Sequence, residues 1–127
     1  MTMLFHAHSG LRYLVLLAGL IALVWFLVGA LRGKPFVRPA PAVLATLTGL
    51  VDLQSLLGLI LYFGGRTPPG IAGHLALMLS AVVVLHVASV MRRRRPRPGG
   101  FGLPLAGVAL ALALIVLGIL SIGRGLV

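Results

Sequence analysis

Four apolar runs, each close to 20 residues long, leave this 127-residue chain few folds to adopt. They cover 11–31, 42–63, 71–90 and 103–122. At about 1.5 Å per residue, each can cross the ~30 Å hydrocarbon core of a bilayer. That core offers no water to backbone N–H and C=O groups, so a run of this length must be a helix that satisfies its own backbone. The connections are short, which makes successive helices antiparallel neighbours. The expected fold is all-α: a single domain over residues 1–127, forming a four-helix transmembrane bundle with up-down-up-down topology. Composition agrees. Hydrophobic residues make up 60% of the chain and charged residues 9%, with a mean hydropathy of +1.15. A soluble domain carries roughly 25% charged residues.

Basic residues orient the bundle. Arg32, Lys34 and Arg38 lie in the first connection, and Arg92, Arg93, Arg94, Arg95 and Arg97 in the third, eight in all. The opposite side has three, namely Arg12, Arg66 and Arg124. Loops rich in Lys and Arg stay cytoplasmic, so both termini and the 64–73 loop are expected outside, N-out and C-out, as a multi-pass protein of a bacterial inner (cytoplasmic) membrane. The segment before the first run has no Lys or Arg, and that run exceeds a signal-peptide core, so the first helix is expected to be retained. The net charge of +10 sits at helix ends, where it meets anionic lipid headgroups rather than nucleic acid. With no Cys, disulfides, iron–sulfur clusters and thiolate ligands are excluded.

Polar side chains inside the spans point to function or to buried pairing. In the second run, Thr48, Asp52, Ser55 and Tyr62 share one stripe at about 100° per residue. Asp52 is the one acidic residue of the chain and falls near the bilayer midplane. Two readings of it stand: a neutral, buried Asp52 hydrogen-bonded to Thr48 or Ser55, or a proton-relay acid or cation partner. Arg12 is ~10 Å or more away in depth, which strains a direct pair. Gln54 projects away from Asp52 and is expected against a different neighbour or a partner subunit. The fourth run is rich in Ala and Gly and reads as packing scaffold.

The histidines fall at two levels. His8 and Arg12 share a helix face at i, i+4 near the outer surface, and His74 opens the third helix at that same level. His86 lies ~18 Å deeper and ~120° around. Two His on different helices at one depth suit a bis-imidazole haem slotted between the helices. Arg12 and Arg66 would neutralise its propionates, and Gly19, Ala22, Gly73 and Ala81 would let the flat ring approach. Interfacial His is also ordinary in membrane proteins, because imidazole tolerates the headgroup layer.

Two stretches, 8–12 (HSGLR) and 53–63 (LQSLLGLILYF), resemble a family of small bacterial four-helix membrane proteins labelled cytochrome b-like. The layout extends over nearly the whole chain, the motifs over about fifteen residues. The resemblance implies a haem b protein of electron transport in a respiratory chain, linked to quinone or a membrane redox partner, with His8 and His74 as the carried-over ligands. One departure is Asp52, which stands where members of that family carry His before the Leu-Gln pair. A carboxylate there is a poor axial ligand.

The leading expectation is therefore a b-type cytochrome-like electron carrier with haem b near the outer face. The alternative is a haem-free accessory or assembly subunit of a larger membrane complex, as a homo- or hetero-oligomer. A third reading, copper held by Met1, Met3, His6 and His8, competes with chance placement of soft ligands. No catalytic constellation is apparent, so the chain is not expected to be an enzyme.

Overall fold

The computed structural model describes residues 2–96 and 99–123, and 82% of those residues are helical. The positions of Met1, Arg97, Arg124 and Val127, which enter the orientation and copper readings, lie outside the described residues. The helices are α1 (Thr2–Leu31), α2 (Ala40–Phe63), α3 (Ile71–Arg94) and α4 (Gly102–Ser121), all long and apolar enough to cross a membrane. They pack in a ring, α1 on α2, α2 on α3, α3 on α4 and α4 on α1. The up-down-up-down bundle expected from the apolar runs is the fold.

α1 begins nine residues before its apolar run. At 30 residues it is ~45 Å long, more than the hydrocarbon core requires. His6 and His8 are consequently helical.

Each helix buries a seam whose members alternate three and four residues apart, the spacing that keeps one face of an α-helix inward. In α1 the buried seam is Val15, Gly19, Ala22, Phe26 and Gly29, and in α3 it is His74, Met78, Ala81, Leu85 and Ala88. Small residues set the α3–α4 distance. A Cβ added at Gly107 would stand 2.6 Å from Cβ of Ala88, so no larger side chain fits at that crossing. Gly70 precedes α3 with φ of 83°, and a Cβ there would run into the Ser121 carbonyl.

The two ends differ. At the basic end Phe26, Phe36 and Phe101 pack with centroids 5.1–5.5 Å apart, and Arg92 lies 5.0 Å over Phe36. Phe36 N donates to Gly99 O across the two connections. These aromatic rings seal that end. At the opposite end the inward positions hold His8, Arg12, Gln54, Gly58 and His74, which are polar or small, and there the bundle stays open.

Candidate functional site

Extending the α1 seam toward its start by the same three- and four-residue steps reaches Arg12 and then His8. On α2 the buried row Leu44, Leu47, Val51 continues to Gln54 and Gly58. The core register thus carries polar side chains inward at this end, where their bulk does not fill the space. The result is a cavity of about 510 Å³ lined from all four helices and the 64–70 connection. A cofactor pocket commonly spans 300–1,000 Å³. Val15, Leu61, Leu75, Met78 and Ile115 form apolar wall, while His8, Arg12, Gln54, Arg66 and His74 add polar groups.

Both histidines are held the same way. His8 Nδ1 lies 3.1 Å from the Gln54 carbonyl, and His74 Nδ1 lies 2.7 Å from the Gly118 carbonyl. A carbonyl only accepts, so Nδ1 carries the hydrogen in both rings, and in the neutral form Nε2 holds the lone pair. This anchoring, Nδ1–H to a backbone carbonyl, is the usual support of a metal-ligating imidazole. His74 is buried, and α4, which contributes no ligand of its own, supplies the anchor.

The His8 ring lies over the backbone of Gly58, where an added Cβ would be 3.0 Å from Cε1. Gln54 is only 4% exposed, and its amide donates to the His8 carbonyl at 2.8 Å. Its Oε1 has no hydrogen-bond partner, and neither does the buried Arg12 Nε, so the cavity presents an unused acceptor and an unused donor. Arg12 Nη2 donates to the Tyr13 hydroxyl at 2.8 Å, and the Arg66 guanidinium sits 3.6 Å above the Phe5 ring at the cavity rim.

His8, His74, Arg12 and Arg66, singled out from sequence, all line this one cavity. Of the two surroundings expected for Gln54, the structure has the first, a different neighbour: it sits on the buried row against α1, whereas Asp52 meets α3. Three expectations are corrected. Of the small residues expected beside a flat ring, Gly19 packs against Leu112, Ala22 and Ala81 are core, and Gly73 approaches only Ser121; Gly58 and Gly65 line the cavity instead. Thr48 is buried but donates to the Leu44 carbonyl at 2.8 Å, and Ser55 Oγ has no partner, so neither binds Asp52. Asp52 is not buried: it lies on the flank of α2 and meets His86 Nε2 at 2.9 and 2.8 Å. α2 and α3 are antiparallel, with Asp52 twelve residues after one helix start and His86 eight before the other's end, so the two are only ~6 Å apart in height.

Comparison with protein families, curated proteins and solved structures finds no match.

A bis-imidazole group fits the residues present. Two imidazoles from separate helices share one apolar cavity, both oriented through Nδ1, and Arg12 and Arg66 line the same cavity. Among the described residues no cluster of three or more His, Cys, Asp or Glu forms a separate metal site, and Met3 and His6 are exposed on the first turns of α1.

Proposed function

We propose that this chain is a membrane b-type cytochrome in which His8 and His74 would hold the iron of haem b in the cavity between the four helices. The observation that carries the reading is that both imidazoles line the same cavity, each with Nδ1 tied to a main-chain carbonyl. Haem bound there supplies a one-electron change at iron. The chain's own groups would do the rest. Gln54 O and Gly118 O hold the two rings in the tautomer that leaves Nε2 basic. Arg12 and Arg66 would balance the propionates, and Arg12 Nε has no competing hydrogen bond. The aliphatic wall excludes water and lowers the local dielectric, one of the means by which a protein tunes a haem. The eight basic residues at the opposite end support a cavity facing outward from a bacterial cytoplasmic membrane. The natural redox partner is then quinone or a membrane protein.

The test is the visible spectrum of protein made with ample haem. A strong Soret band that sharpens and shifts on dithionite reduction is expected. His8→Ala and His74→Ala should each abolish or convert it, and His86→Ala should leave it intact. A colourless protein would select the haem-free accessory subunit. The exposed Asp52–His86 pair asks for a protein neighbour under either reading.

A further inference from the structure

The Asp52–His86 pair sits in the middle stretch of α2 and α3, on the outward side of the seam between them. The His86 and Asp52 side chains remain 53% and 41% exposed, at a depth where a lone chain meets hydrocarbon. Polar groups at that depth are costly and are found against one another or against a water-filled space, not against lipid. The internal contact meets only half of this need. His86 Nε2 faces both carboxyl oxygens of Asp52, at 2.9 and 2.8 Å. A net charge in hydrocarbon is the most expensive state, which favours a pair that carries none. It then holds either an imidazolium and a carboxylate or an imidazole and a carboxylic acid. In both arrangements one hydrogen joins Asp52 to His86. The second, on Nδ1 or on the carboxyl, finds no acceptor among the described residues, and one acceptor is likewise left over.

A leftover donor and a leftover acceptor at one spot are self-complementary. We infer that the α2–α3 face is the interface with a second copy of this chain, related by a two-fold axis beside the pair, so that each pair donates to its mate. The second copy is the occupant this chemistry selects. It brings one donor and one acceptor in inverted order, closes a four-residue ring and adds no net charge, whereas a lipid tail offers neither group. Shape agrees. Gly49, one turn from Asp52, has open space where a Cβ would stand, and Ala45, a turn further, is exposed, so a second backbone can come close. Neither Asp52 nor His86 lines the outer cavity, so this interface stands or falls independently of haem binding.

The chain has no cysteine, so single-cysteine variants report proximity cleanly. In native membranes treated with a mild oxidant, Leu56→Cys and Val90→Cys, which flank the pair, should form chain–chain disulfides. Leu20→Cys on α1 and Leu110→Cys on α4, also exposed, should form about ten-fold less or none. The double variant Asp52→Leu/His86→Leu places apolar groups at lipid-facing positions and should keep its helical circular dichroism. It should lower cross-linking at Leu56→Cys by about ten-fold or more. Undiminished cross-linking in the double variant overturns the inference. So does cross-linking preferred at Leu20→Cys or Leu110→Cys, a product containing a different protein, or no product at all.

Discussion

His8 and Gln54 grip each other in both directions: the His8 ring donates to the Gln54 carbonyl at 3.1 Å, and the Gln54 amide donates back to the His8 carbonyl at 2.8 Å. Two hydrogen bonds between the same residues of α1 and α2 fix the height of one helix against the other. They also hold the ring that the proposed cofactor needs. The height of α1 against α2 therefore depends on one buried side-chain amide, and the direction of His8 on the main-chain carbonyl of the same residue.

Gln54→Leu keeps much of the volume and removes both the amide donor and the unused Oε1. The His8 carbonyl loses a bond in an apolar setting, for an expected cost of about 1–3 kcal/mol. Thermal unfolding in mild detergent measures it, and an unchanged midpoint would show that the clamp is not a stabilising contact.

Gly58→Val puts branched carbon where the His8 ring lies. The imidazole must move, since the backbone of α2 beneath it cannot, and overpacking of this kind costs about 1–3 kcal/mol. Under the haem reading the Soret band of this variant should shift or weaken, while helical circular dichroism below the melting point is retained.

Gly107→Leu drives a side chain into Ala88 at the tightest part of the α3–α4 crossing. About 1–3 kcal/mol or more should be lost, through separation of the two helices. Gly10→Ala is the matched control. No atom lies within 4 Å of its Cβ position, and an alanine in mid-helix should add about 0.5–1 kcal/mol. Equal melting behaviour of the two variants would contradict the packing account.

Reporter fusions test orientation. A reporter after Val127 or within 64–70 should be active outside, and one within 92–95 in the cytoplasm, following the basic asymmetry. A cytoplasmic C-terminus would invert the bundle and place the cavity inside.

The four spans and their antiparallel order were determined by sequence alone, because a bilayer permits one solution for runs of this length and charge. The shared level of His8 and His74 was also legible, since each lies a short, countable distance from a helix end. Gln54 and Asp52 were not. They are two residues apart on α2, one buried and bonded to His8, the other on the flank and bonded to His86. Counting at ~100° per residue gives the angle between them but not which angle points inward. Apolar residues surround the whole of α2, so its own pattern does not mark the buried face as it does on a helix in water. Only packing against α1 and α3, with Gly58 of α2 leaving room for the His8 ring, chose that rotation. It turned Gln54 into the cavity and left Asp52 beside His86.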